Sequence, residues 1–167
     1  MSDKIIIPKY TMDLDSFVKI FRDEGAYTKK HFRTLSDKVS NLLIGGIIIS
    51  HIEVFKEIED GYKESGRKDE LYEWAKSNKN IFKDYNLPDE TFKIKEVGDK
   101  FPMFTYQNKE KPNHADPWLV AQAMINNLTL ITEEKKMGNS GIPKICIDFK
   151  VRYIDLFGLI KENGWVM

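Results

Sequence analysis

Apolar positions along the chain follow two rhythms, and they alternate. Residues 9–13, Lys9-Tyr10-Thr11-Met12-Asp13, read as a short strand that ends on an acid. Residues 14–23 carry Leu14, Phe17, Val18 and Phe21 at helical spacing, and Gly25 closes that helix. Residues 27–43 place Phe32, Leu35, Val39, Leu42 and Leu43 on one stripe, stopped by Gly45-Gly46. The β-branched run Ile47-Ile48-Ile49 predicts a buried strand. Ser50 with Glu53 three residues later has the form of a capping box for the next helix. That helix turns Ile52, Phe55, Ile58 and Tyr62 inward and carries Glu53, Glu57, Glu59 and Asp60 on its other faces. Asp69 caps a further helix over residues 70–78, with Leu71, Trp74 and Ala75 as its apolar face.

The rhythm weakens over residues 81–113, where Pro88, Gly98, Pro102 and Pro112 interrupt it. A helix over residues 89–97 followed by a loop is expected there. Order returns at Asp116-Pro117: the acid reads as an N-cap and the proline as a first helical residue. Trp118 through Ile125 are apolar on nearly every side, broken only by Gln122, which predicts a buried helix stopped by Asn126-Asn127. Residues 128–132 form an apolar run of strand formers, with Glu133 and Glu134 just past its end. Residues 142–147 and 151–154 read as two more strands. Asp155 caps a last helix running to Asn163, which Gly164 ends. Strands and helices alternate without a repeat or a linker. The expectation is one three-layer α/β/α domain over residues 1–167 with a mainly parallel central sheet.

Composition narrows the class. Lysine and arginine number 26, aspartate and glutamate 26, so the net charge is zero and any nucleic-acid site must be a local patch. One cysteine, Cys146, excludes a disulfide within the chain and suits a reducing compartment. The longest apolar run, residues 42–49, is broken by glycines and falls short of the roughly 20 residues a bilayer span needs. The stretch before Pro8 is too short for a signal peptide, and a cytoplasmic location is expected.

Four acids share one address in this scheme. Asp13 ends the first strand, Glu57 lies two turns into the helix after the second, Asp116 opens a helix, and Glu134 follows residues 128–132. In a right-handed parallel α/β unit, strand C-termini and helix N-termini lie on the same sheet edge. Clustered carboxylates repel, and a hard divalent cation, Mg²⁺ or Mn²⁺, relieves that repulsion. Such a site suits phosphodiester hydrolysis. Three of the acids also have an ordinary reading: a cap for Asp116, a solvated helix residue for Glu57, a charged loop for Glu133-Glu134; Asp13, at the end of a buried first strand, stands in a common functional position. His114 stands next to Asp116, where it could bind phosphate or substrate. His31 and His51 read as surface or cap residues, Cys146 and Trp118 as core, and Phe104 and Tyr106 as a free stacking surface. Lys93, Lys95, Lys100, Lys109, Lys111, Lys135 and Lys136 could contact an RNA backbone or form a solvated surface.

These residues resemble the PIN-domain family, the fold of VapC-type toxin ribonucleases. The resemblance runs through Lys9-Tyr10-Thr11-Met12-Asp13-Leu14-Asp15-Ser16-Phe17, Glu57-Ile58-Glu59-Asp60-Gly61, Ala115-Asp116-Pro117-Trp118-Leu119-Val120-Ala121 and Leu130-Ile131-Thr132-Glu133-Glu134. The Ala-Asp-Pro-Trp wording is similar to a PIN-like subfamily catalogued as a domain of unknown function. So are Asp69-Glu70-Leu71-Tyr72-Glu73-Trp74-Ala75 and the tail from Phe149 to Phe157. The resemblance implies a metal-dependent endoribonuclease, the toxin of a toxin–antitoxin pair. Its catalytic quartet would be Asp13, Glu57, Asp116 and Glu134, with Asp13, Asp116 and Glu134 on Mg²⁺ or Mn²⁺ and Ser16 and His114 on substrate. RNA, a cognate antitoxin and a second copy of the chain are the implied partners. The family's usual Asp-Thr is Asp13-Leu14 here, and its fourth acid, commonly Asp, is Glu133 or Glu134. Two alternatives stand beside this reading. One is a haloacid-dehalogenase-like phosphatase using Asp13 and Asp15. The other is a PIN-like binding module with weakened catalysis.

Overall fold

The computed structural model describes residues 5–84, 88–102, 115–135 and 141–167. Five short strands form one sheet: β1 (Tyr10–Met12), β2 (Ile48–His51), β3 (Phe82–Lys83), β4 (Thr129–Ile131) and β5 (Tyr153–Ile154). Their order is β3-β2-β1-β4-β5, and every pairing is parallel. β1 is central, with Thr11 opposite Ile49 on one side and Leu130 on the other. The chain builds outward from β1 to β3, then crosses back to lay β4 on the other side of β1. Such a reversal opens a crevice beyond the carboxyl ends of the two strands that flank it.

Eight helices among the described residues cover the sheet: α1 (Leu14–Phe21), α2 (Lys29–Ile44), α3 (Ile52–Ser65), α4 (Glu70–Ser77), α5 (Pro88–Lys100), α6 (Asp116–Asn126), α7 (Ile142–Asp148) and α8 (Leu156–Glu162). α1 packs with α2, α3 and α4, while α5 and α7 pack on α6, which lies across β1, β2 and β4. The result is the expected three-layer α/β/α arrangement. Its sheet strands read as unbroken apolar runs because both faces are covered, and Met12, Ile48, Ile49, Leu130 and Ile131 are fully buried. No helix among the described residues is long and apolar enough to cross a membrane.

Several expectations change. Residues 142–147 form helix α7 and not a strand. Ile142, Ile145 and Cys146 are buried while Ile147 is 54% exposed, so burial follows a three-to-four-residue period. Pro143 in the first turn and a Lys144–Asp148 pair at 2.9 Å, one turn apart, support the same choice. Burial pushes the Cys146 thiol up to about 12, as fits a core residue. Strand β3 was not foreseen, since only two residues pair, opposite Ser50 and His51.

The cap of α3 is His51, not Ser50: His51 Nδ1 accepts the Glu53 N–H, while Ser50 stays in β2 and donates its hydroxyl to Met12 O. In that helix Val54 joins Phe55 and Ile58 in the core, and Ile52 and Tyr62 are half-buried. Asp116 is likewise the first helical residue and not the N-cap, a position that Ala115 holds. Trp118 is half-buried, with its indole against the His51 ring at 5.2 Å. The expected stop of α6 is present: Asn127 takes a left-handed conformation with φ of 51°.

Candidate active site

β1 delivers Asp13 to the carboxyl edge of the sheet. The Asp13 N–H donates to Ile131 O at 3.0 Å, which extends the β1–β4 ladder by one residue. Its side chain then turns back as the N-cap of α1, with Oδ1 accepting the Ser16 N–H at 2.9 Å. Oδ2 accepts the Thr132 hydroxyl at 2.5 Å. The residue is 3% exposed. Burial raises the carboxyl from 3.8 to about 6, against the opposing pull of the Ser16 and Thr132 hydrogen bonds. Ser16 is buried, and its hydroxyl stands 3.5 Å from Ile131 O, at the limit of a hydrogen bond. Asp15 is exposed in the first turn of α1.

Thr132 links this group to the end of β4. Its Oγ1 donates to Asp13 and accepts the Glu134 N–H at 3.1 Å. The Glu134 carboxylate reaches the start of α7, where Oε2 accepts the Ile142 N–H at 2.9 Å. Gly141 makes that approach possible, because a Cβ there would lie 2.3 Å from Glu134 Oε1. Glu133 points elsewhere. It pairs with Lys19 Nζ at 2.9 Å and accepts the Leu156 N–H of α8 at 2.7 Å. Of the two adjacent glutamates, Glu134 shares Thr132 with Asp13, and Glu133 is neutralised by a lysine. Thr132 was not among the expected site residues. Its signal in the sequence was a lone hydroxyl between an apolar strand and two acids.

The other two acids meet at the start of α6. Glu57 Oε1 accepts the Ala115 N–H at 2.9 Å, and Asp116 follows, half-buried. α6 ends two residues before β4 begins, so its N-terminus lies toward the carboxyl ends of the strands it covers. Gln122 fixes it there, accepting the Thr11 hydroxyl at 2.6 Å and donating to Ser50 O at 3.2 Å. The polar break in the apolar helix is thus a buried clamp onto β1 and β2. The structure brings Asp13 to Glu134 through Thr132, and Glu57 to Asp116 through Ala115. His114, Phe104, Tyr106, Lys109, Lys111 and Lys136 lie outside the described residues. Lys93 pairs with Glu96 at 2.8 Å and Lys100 with Asp148 at 3.5 Å, while Lys95 and Lys135 are exposed.

A comparison with protein families matches residues 10–167 to a domain of unknown function, DUF4411. The chain belongs to this family. The matched stretch begins on the first residue of β1 and takes in all five strands, so the DUF4411 domain contains the whole described sheet and all four acids. No curated protein matches the chain.

In this DUF4411 chain the donor set has hard carboxylate oxygens, the ligand type that Mg²⁺ and Mn²⁺ prefer. Each oxygen has a second lone pair beyond the N–H or hydroxyl it now accepts. The buried Asp13 would gain from a nearby cation, which offsets the cost of keeping its carboxylate ionised. Among the described residues, no three His, Cys, Asp or Glu side chains are gathered to hold a metal ion. The residues fit a divalent cation in donor type but are not gathered around one point. Binding one would require the carboxylates to move off their present partners.

Proposed function

We propose that this chain is a metal-dependent endoribonuclease of the PIN-domain kind, acting as the toxin of a toxin–antitoxin pair. One observation carries the reading: Asp13 and Glu134 end adjacent parallel strands at the crevice beside β1 and share the Thr132 hydroxyl. Asp116, at the start of the helix that crosses both strands, would complete the ligand set. Mg²⁺ or Mn²⁺ held there would polarise the phosphoryl group and activate a water. Thr132 and the Ser16 N–H fix the Asp13 carboxylate in one orientation before any ligand arrives. Glu57 holds the α6 N-terminus through Ala115 and thereby sets where Asp116 stands. Gln122 keeps the same helix in register with β1 and β2. Substrate RNA would meet exposed lysines such as Lys95 and Lys135 and not a basic face, consistent with zero net charge.

The test uses end-labelled RNA with the purified chain in Mn²⁺, Mg²⁺ or EDTA, beside Asp13→Asn and Asp116→Asn. Internal cuts in metal with the wild type, lost in EDTA and reduced at least about a hundredfold in each variant, would match the scale of one lost electrostatic or metal-holding group. Induction in a bacterial host should arrest growth with the wild type and not with Asp116→Asn. Equal RNA integrity and equal growth for both proteins would sink the proposal. Release of phosphate from a small monoester, with RNA left whole, would instead favour the phosphatase that uses Asp13 and Asp15.

A further inference from the structure

A second polar cluster lies beyond β2, around His51 and Glu90. His51 Nδ1 accepts the Glu53 N–H, so in the neutral ring Nε2 carries the proton and faces Glu90 Oε2 at 3.4 Å. Burial lowers the His51 pKa to about 4, which keeps the ring neutral. Glu90, on α5, is 2% exposed, and among the described residues its Oε1 has no hydrogen-bond partner. A buried carboxylate oxygen left without a donor costs of the order of 1–3 kcal/mol. The same side chain lines a cavity of ≈ 230 Å³ with His51, Glu53, Lys56, Asp84 and Trp118.

The lining fixes the chemistry of an occupant. Lys56 Nζ is engaged with Glu53 Oε1 at 2.5 Å, so the one lysine that lines the cavity among the described residues is already neutralised. The buried Glu90 carboxylate in the lining disfavours a phosphate or a carboxylate. The half-buried Trp118, with the His51 ring stacked on one side of its indole, supplies an aromatic wall, a surface type that attracts cations. The volume is below that of pockets for drug-sized molecules and suits one small group. We propose that this cavity binds a small organic cation, a guanidinium or primary ammonium head, with Glu90 Oε1 as its buried acceptor and Trp118 as its wall. The head could belong to a free small amine or to a side chain of a partner protein. Nothing in this site depends on the nuclease reading, and its test reads binding, not RNA cleavage.

Titration of the ¹⁵N-labelled chain followed by NMR tests it. The probes are agmatine, a capped Gly-Arg-Gly peptide, urea as a neutral isostere and cytidine as a nucleobase. Agmatine should saturably shift the Trp118 indole N–H and the amide of Thr91, which also lines the cavity, and urea should not. Glu90→Gln should weaken the affinity about ten- to a hundredfold, the worth of a hydrogen bond to a charged group. Lys56→Ala should tighten it roughly two- to fivefold, a direction that a folding defect would not produce. Burial puts the Glu90 carboxyl at about 7, so affinity should fall as pH drops below neutral. His51, Glu53, Lys56 and Asp84 also face the cavity; over that interval His51 stays neutral and Lys56 keeps its charge.

Binding of agmatine alone would identify a free amine as the occupant. Binding of both agmatine and the peptide would admit a partner's arginine. No saturable shift with agmatine up to about 20 mM, unchanged affinity in Glu90→Gln, or a response to cytidine and not to agmatine would overturn the proposal.

Discussion

Asp13 offers the most direct measurement, because its burial has a calculable effect on stability. The carboxyl rises from 3.8 to about 6 on folding, and each unit of pKa is worth about 1.4 kcal/mol. Without a cation, the folded chain therefore bears about 3 kcal/mol for an ionised Asp13 at neutral pH. The folded state holds this proton more tightly than the unfolded chain. The benefit is full below 3.8 and is lost as pH rises through about 6. Between pH 5 and pH 7.5 the group alone removes about 1.4 kcal/mol of stability. Asp13→Asn has no such proton, so its stability should decline less over the same interval by about that amount.

The Glu90 carboxyl, raised from 4.5 to about 7, titrates in both proteins and cancels in the comparison. His51 also cancels. Lowered from 6.5 to about 4, it opposes the acids, since its contribution is lost as pH falls through that window. The assay is urea unfolding of both proteins in EDTA near pH 5 and near pH 7.5, repeated with about 5 mM Mn²⁺. Mn²⁺ should raise the wild-type midpoint at the higher pH and leave that of Asp13→Asn nearly unchanged. Parallel pH profiles for the two proteins in EDTA would refute the burial argument. A divergence in EDTA with no response to Mn²⁺ would keep that argument and remove the metal.

Three further substitutions probe the supports of the site. Thr132→Val keeps the shape but removes the donor to Asp13 and the acceptor for Glu134, and should cost about 2–3 kcal/mol in urea unfolding. Gly141→Ala places a methyl where Glu134 Oε1 now lies. The flexible glutamate should swing aside at a cost of no more than about 1 kcal/mol, a fall of about 2–4 °C in melting temperature. RNA cleavage should drop at least about tenfold, and undiminished cleavage would show that the place of Glu134 is unimportant. Gln122→Leu leaves Thr11 Oγ1 and Ser50 O without their partner in the core, and should destabilise by about 2–4 kcal/mol in the same unfolding assay.

Where burial on both sheet faces gave unbroken apolar runs, the strands at the centre of the sheet were readable from sequence. The runs at 47–49 and 128–132 became β2 and β4, the two strands that flank the central β1. The run at 142–147 misled for a local reason. Isoleucine and cysteine favour strands by composition, yet the deciding facts are the spacing of the buried positions and a proline in the first turn. β3 could not be read, because two paired residues carry no period. Among the site residues, Asp13 was legible as an acid on a buried strand. Thr132 and Gly141 were not, since their roles exist only once β4 and α7 are brought together. The partnership of His51 with Glu90 joins residues 39 apart, and neither carries a sign of the other.

The acids have one further property in common. Asp13 accepts an N–H in the first turn of α1, Glu57 the N–H that precedes α6, Glu134 the first N–H of α7, and Glu133 the first N–H of α8. Helix N-termini present unpaired N–H groups and a partial positive charge, so each carboxylate is held by a donor that the fold must satisfy in any case. This explains how acids can gather at one edge of a chain with no excess of basic residues. It also ties the stability of α1, α6 and α7 to the carboxylates of the candidate site, and that of α8 to the neighbouring Glu133. An alanine substitution there would orphan a helix N–H as well as remove a charge, and loss of activity would not separate the two effects. Asparagine and glutamine keep the carbonyl acceptor while removing the charge, so these are the variants that can distinguish a metal ligand from a cap. A cation entering the site would have to compete with those same N–H groups. Because the Thr132 hydroxyl holds the Asp13 carboxylate in one orientation before any ligand arrives, Mn²⁺ affinity should fall when Thr132 is replaced by valine, together with the stability of the fold.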